Sequence, residues 1–299
     1  MRRAFILLHI SVFLWGFTGI FARSIELTEG ILVWYRMLLT SFCWILIGAF
    51  TGKVRILPGR DLIPLSIAGL LVALHWVFFY ASIKYSNISI GMSCLPMIAV
   101  FSSVFEPVIR RQKFKLYEMM LALLALFGMF LIFQFNELQR TGIILGMISA
   151  ILASVFTIVN KGLTGKHNSE TITTYEITSG FVFLTLLMPL YLFLFPSHKL
   201  FPDTNDLILL FFFTLFCTVI PFNLSMKALE KVSAFTANLS LNMEPVYGII
   251  LAFIFYHEQE ELNAAFFFGA GLIMLSVLLF MLMHFRHHIR KLIPNVLPK

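Results

Sequence analysis

Apolar stretches of membrane-crossing length recur from Ala4 to Met283, parted by connectors of only a few residues. A helix that crosses a bilayer needs about 20 predominantly apolar residues. Hydropathy places ten such spans, at residues 4–22, 31–50, 62–82, 88–109, 116–134, 141–160, 172–195, 206–227, 233–255 and 262–284. The connectors carry helix breakers and turn formers, as in Thr51-Gly52-Lys53, Pro58-Gly59-Arg60-Asp61, Gly165-Lys166-His167-Asn168 and Phe201-Pro202-Asp203. With 59% hydrophobic and 12% charged residues in 299 positions, the chain holds far more apolar surface than a soluble core absorbs. The expected fold is an all-α integral membrane protein of ten transmembrane helices, with the lipid bilayer as its first partner.

The net charge of +7 could suggest nucleic acid, but the basic residues sit in short loops between spans and no basic-aromatic module accompanies them. No nucleic-acid partner is expected. The loops set topology instead. With the N-terminus inside, only Arg23, Lys84, Arg140 and Lys199 of the 22 lysines and arginines fall outside, and Arg36 lies within a span. The other seventeen are inside, which the positive-inside rule reads as both termini cytoplasmic. Acidic residues such as Glu26, Asp203, Asp206, Glu258 and Glu261 gather on the opposite side. The first apolar run is too long for a signal peptide, and Phe21-Ala22-Arg23-Ser24 offers no small-x-small cleavage site, so it reads as a retained span. Cys43, Cys94 and Cys217 lie scattered in apolar stretches, with neither metal nor disulfide spacing. No metal or cofactor is expected.

The two halves of the chain echo one another. Ala81-Ser82-Ile83-Lys84-Tyr85-Ser86 parallels Ala228-Leu229-Glu230-Lys231-Val232-Ser233. Pro96 and Pro245 follow in the next apolar helices, and Gly128 and Ser276 take matching places in the closing ones. Five spans in each half form an odd number, so the halves lie in opposite orientations. The predicted domains are a five-helix repeat over 1–137, an inverted five-helix repeat over 138–285, and a basic cytoplasmic tail over 286–299. Inverted repeats with broken helices and a midplane site are a secondary-transporter architecture, and Pro96 and Pro245 are the predicted hinges.

On these residues the chain resembles the EamA-type branch of the drug/metabolite transporter superfamily. The resemblance rests on Phe13-Leu14-Trp15-Gly16, Trp34-Tyr35-Arg36, Ala81 with Tyr85-Ser86, and Leu241-Asn242-Met243-Glu244-Pro245-Val246 running on to Tyr256-His257-Glu258. Phe268-Gly269-Ala270-Gly271-Leu272-Ile273 extends it into the last span. It implies a central cavity lined by spans 1, 3, 4, 6, 8 and 9, and ATP-independent movement, often export, of amino acids or other small metabolites across the bacterial inner membrane. The small drug-efflux members rely on a glutamate in their first helix. Here that span has no acidic residue and His9 is its only titratable side chain, so their proton-coupled antiport does not carry over.

Within the spans, polar side chains mark the expected chamber. Arg36 is a cation at bilayer depth, where charge is costly and normally faces a bundle interior or a water-filled cavity. Glu176 and Glu244 are carboxylates in later spans. An Arg36–Glu176 pair across the halves is expected from the repeat, two separate helix-end charges being the plainer reading. Trp15, Trp76 and Tyr80 could form an aromatic box for planar or amine-bearing solutes, or simply pack. His75 could titrate near physiological pH and gate a coupling proton; a hydrogen-bonded neutral core histidine is the commoner case. Asn160, Asn223, Asn238 and Asn242 contribute amides that need a partner in hydrocarbon, either a neighbouring helix or a solute. Glu244 directly precedes Pro245, which joins a hinge to a site.

A membrane-embedded enzyme is the reading from a different class. The chain has no Gly-x-Ser-x-Gly elbow, His-Glu-x-x-His pair or aspartate-rich metal motif. Gly165-Lys166 is followed by His167 and lacks the glycine of a phosphate loop, and nothing calls for an ATPase subunit. A lipid or nucleotide-sugar translocator of the same superfamily stays open, since cavity size is not written in the sequence.

Overall fold

The computed structural model of the protein describes the backbone of residues 2–163, 166–229 and 241–292. Among them, nine helical stretches are long and apolar enough to cross a membrane, and the shorter apolar helix Glu244–Tyr256 stands in the ninth expected span. Asn238 and most of that span's first half lie outside the described residues. The elements are α1 (Arg2–Gly16), α2 (Thr18–Ser24), α3 (Glu29–Thr51), α4 (Gly59–Lys84), α5 (Ile88–Cys94), α6 (Met97–Arg110), α7 (Leu116–Phe135), α8 (Arg140–Leu163) and α9 (Ser169–Leu194). After these come α10 (Thr204–Thr214), a π-helical turn (Leu215–Val219), α11 (Ile220–Leu229), α12 (Glu244–Tyr256) and α13 (Ala264–Leu292). The last helix therefore runs beyond residue 284, into the segment expected as a tail.

Hydropathy located the spans but not their breaks. The first is split at Phe17, and the fourth is split into α5 and α6 at Leu95-Pro96. Pro96 lies at the N-cap of α6, and Pro245 at the first turn of α12. The two prolines were expected in mid-helix. They stand at helix starts, where the missing N–H costs no intrahelical bond. The half-helices α6 and α12 also end alike. Arg111 (φ 53°) and His257 (φ 54°), about half the chain apart, cap them in the left-handed region, the only positive-φ residues other than glycine among those described.

The bundle pairs α3 with α9, α7 with α13, α4 with α8, α1 with α11, α6 with α8, and α1 with α12. Small residues set the closest approaches. A Cβ on Gly128 of α7 would meet the carbonyl oxygen of Gly269 at 2.5 Å, and one on Gly269 would meet that of Gly128 at 2.5 Å. Backbones thus touch at this crossing, the usual means of packing helices in lipid. Nearby, Ser276 of α13 donates to the carbonyl of Leu121 at 2.6 Å.

Gly128→Val should therefore force α7 and α13 apart and cost about 1–3 kcal/mol. Gly271→Ala, at a position with open space, should stay within about 0.5 kcal/mol of the parent. Thermal unfolding of the two variants in detergent compares them directly.

Candidate functional site

Arg36 sits about two turns into α3, with only 3% of its surface exposed. Its guanidinium carbon lies over the Trp76 ring at 4.0 Å, over Phe213 at 4.2 Å, and over Tyr80 at 5.5 Å. Trp76 and Tyr80, four residues apart on α4, share one face. Nε and Nη2 of Arg36 donate to Thr218 Oγ1 at 3.2 and 2.8 Å, and Nη2 donates to the carbonyl of Cys217 at 3.4 Å. That carbonyl is free for a local reason. Pro221 has no N–H to return to the carbonyl four residues earlier, which is that of Cys217. The π-helical turn Leu215–Val219 opens the ladder at this place.

Among the described residues no carboxylate comes within ion-pair distance of Arg36. The predicted Arg36–Glu176 pair does not form: Glu176 Oε2 accepts from Asn160 Nδ2 at 3.2 Å, while its Oε1 is buried without a partner. The half-chain offset put Glu176 only near the counterpart position of Arg36, and α3 turns Arg36 toward α4 and the π turn, whereas α9 turns Glu176 toward α8. Glu244, at the start of α12, is the acidic neighbour close enough to act electrostatically on Arg36, and its side chain keeps partial exposure.

His75 is anchored to α8. Its Nδ1 lies 3.1 Å from the carbonyl oxygen of Ser149 and 2.8 Å from Ser149 Oγ, and Ser149 Oγ donates to the carbonyl of His75 at 3.0 Å. A carbonyl only accepts, so Nδ1 carries a proton. The other expected members lie elsewhere. Trp15 is half-buried in α1, with no ring partner and no indole hydrogen bond among the described residues. Asn223 is exposed and lines a cavity of about 60 Å³ with Trp44, Ile47, Thr51, Lys53 and Glu170, at the end of the bundle where Lys53 pairs with Glu170. Asn242 is half-buried at the turn before α12. The chamber's members not anticipated from sequence are Phe213, Thr218 and the Cys217 carbonyl; Pro221 inside an apolar span was the available signal.

The end of the bundle away from Lys53 is tied by charge. Glu258, fully buried after α12, pairs with Arg23 of α2 and accepts from the Ile88 and Ser89 N–H groups and Ser89 Oγ at 2.8, 2.7 and 2.6 Å. Ser24 Oγ and Tyr256 OH lie 2.7 Å apart, and the Arg23 guanidinium lies over the Tyr256 ring at 4.5 Å. Beside this cluster, Lys199 Nζ lies 2.9 Å from Glu26 and 2.8 Å from both Asp203 and Asp206. At the opposite end, Glu106 of α6 takes Lys161 of α8 at 2.5 Å.

The model of the EamA-like transporter family matches residues 2–134 and again residues 140–282. The chain belongs to this family. It is thereby a member of the drug/metabolite transporter superfamily. Among its relatives, an uncharacterized transporter of Archaeoglobus fulgidus is 25% identical over 281 residues, covering 92% of this chain and 97% of its own. The uncharacterized transporter YxxF of Bacillus subtilis is 24% identical over 194 residues, and the match spans 62% of this chain and 61% of that relative's length. A solved crystal structure at 14% identity superposes with a TM-score of 0.61 over 92% of this chain and 95% of that one. This is a likeness of fold. The protein is accordingly an EamA-family membrane transporter.

Two predictions follow from the charged end. Glu258→Ala strands Arg23 and three donors, and should lower stability by about 3 kcal/mol. Arg23→Ala should cost less, since the Arg23 side chain is 31% exposed; thermal unfolding ranks the two. In the neighbouring cluster, the Asp206 N–H and then Lys199 hold the Asp203 carboxyl below its usual range. Hydrogen bonds that Lys199 donates to Asp203, Asp206 and Glu26 raise its ammonium. The stabilisation that Asp203 gives should be present above about pH 4 and fade as acid protonates it. That from Lys199 should hold to about pH 10.4 and fade above. Melting curves of the parent and Asp203→Asn should converge in acid, and those of the parent and Lys199→Met in strong alkali.

Proposed function

We propose that this EamA-family protein is a secondary transporter that exports small metabolites, amino acids or related amphipathic solutes, across a bacterial inner membrane. It works by alternating access to a midplane site around Arg36. The observation that carries this reading is the Arg36 chamber: a nearly fully buried cation, with no carboxylate partner among the described residues, enclosed by Trp76, Tyr80 and Phe213. A protein keeps such a costly arrangement at membrane depth where it lines a pathway. His75 and Glu244 border the chamber and are the titratable groups through which a coupling proton would pass.

The two halves, 1–137 and 138–285, act as inverted repeats in this scheme. The double match of the family model supports it. So does the way the helix pairs exchange: α4–α8 maps onto α1–α11, and α6–α8 onto α1–α12, when the halves are swapped. The distribution of lysine and arginine supports an orientation with the Arg23–Glu258 end periplasmic and the Glu106–Lys161 end cytoplasmic.

Solute counterflow in proteoliposomes tests the proposal, with amino acids, amines, nucleosides and purines as the panel. Trp76→Ala and Glu244→Gln should each reduce transport of the active solute at least about tenfold, and Glu244→Gln, which keeps the side chain's size, should leave the melting temperature of the empty protein little changed. If both variants transport like the parent, the central site is elsewhere.

A further inference from the structure

We infer that Arg36 and Tyr80 form a carboxylate-binding subsite, so that the transported solutes carry a carboxylate group. The inference rests on reading the chamber as the substrate site, and it adds the charge of the group bound there.

The argument is a count of unspent donors. Arg36 spends Nε and Nη2 on two neutral acceptors, the Thr218 hydroxyl and the Cys217 carbonyl. Nη1 makes no hydrogen bond among the described residues. The Tyr80 ring faces the same guanidinium, and its hydroxyl is fully buried with no partner. Thr214 Oγ1, next in sequence to Phe213, is likewise buried and unpartnered. A buried donor left unmade costs about 1–3 kcal/mol, and a buried guanidinium without a counter-ion costs more. The surplus is of donors around a positive charge, so its complement is an anionic acceptor.

The form of that anion also follows. A guanidinium presents a planar fork that matches a carboxylate or a phosphate. A phosphate dianion calls for more than one cation. Arg36 is the one basic residue in this chamber among those described, and Glu244 lies nearby. One positive charge suits a monoanionic carboxylate. Glu244 then stands where an ammonium or other donor on the same solute is welcome. The rings of Trp76 and Phe213 shield the pair from water and strengthen it.

The test is thermal stabilisation of the purified protein by matched trios: leucine, leucinamide and isopentylamine; phenylalanine, phenylalaninamide and phenethylamine. Unsubstituted carboxylates of increasing chain length extend the panel. A ligand of the folded state raises the melting temperature by mass action. Acids should shift it by a few degrees, and the amides and amines should not. Arg36→Lys, which keeps the charge but loses the fork, should weaken the acids at least about tenfold. Should Arg36 variants fail to fold, Tyr80→Phe keeps the packed ring and removes only an unpartnered hydroxyl. It should weaken the acids about five- to tenfold and leave the empty protein at least as stable as the parent.

Amides or amines that stabilise as well as the acids overturn the inference, as does silence from every carboxylate. A neutral or cationic ligand whose effect disappears in Trp76→Ala would overturn the carboxylate assignment while leaving the central site intact. An acid whose effect survives unchanged in Arg36→Lys, Tyr80→Phe and Trp76→Ala would remove both.

Discussion

A guanidinium buried in an apolar bundle has to be answered by its surroundings, and Arg36 is answered by three segments. Its own helix α3 presents it, α4 supplies the faces of Trp76 and Tyr80, and the eighth span supplies Phe213 from the end of α10 with Thr218 and a carbonyl from the irregular stretch that follows. The last contribution depends on a flaw in regular helix. Without Pro221 and the π turn before it, the Cys217 carbonyl would be spent within its own ladder. The charge of span 2 and the interruption of span 8 are therefore parts of one arrangement. Cation–π contact and neutral hydrogen bonds hold the guanidinium without neutralising it.

The two ends of the bundle are closed by contacts of different quality. The Arg23–Glu258 pair is backed by three further donors to a carboxylate with no exposed surface. The Glu106–Lys161 pair is 27% and 59% exposed on its two sides. An exposed pair is worth little and is screened by salt, whereas breaking the buried one leaves a desolvated charge. Of these two ion pairs, the one at the Glu258 end is therefore the more costly to break.

The spans were legible because hydropathy over twenty residues depends little on neighbours, and expected and observed spans agree to within a few residues for most of the chain. Arg36 was legible for the same reason, since a charge stands out against apolar residues. Its partners were not. Phe213 is one of 34 phenylalanines, and which of them meets Arg36 depends on helix rotation, which no local pattern encodes. The Arg36–Glu176 expectation failed on that point: correspondence in a repeat fixes depth in the membrane but not the direction a side chain faces. Asn223 was placed by its span and found at the bundle's end, beside Lys53 and Glu170, because an amide near a helix terminus is cheaper to hydrate than to bury. The prolines were read as kinks, whereas the chain uses them to begin new helices, where a missing N–H goes unnoticed.

That use of proline connects the chamber to the closures. α12 begins at Glu244, within electrostatic reach of Arg36, and ends just before Glu258, which seals one end of the bundle. Thirteen helical residues make a rod about 20 Å long, so the two carboxylates are fixed to one rigid piece. α6 has the same plan in the other half: it begins after Pro96 and ends at Arg110, beside the Glu106–Lys161 pair. On the proposed function, a solute that draws Glu244 toward itself would tilt α12, and binding energy at the central site would act on a distant ion pair through a single helix. The breaks before α6 and α12 are the places where the backbone can absorb that rotation with little loss of intrahelical hydrogen bonding.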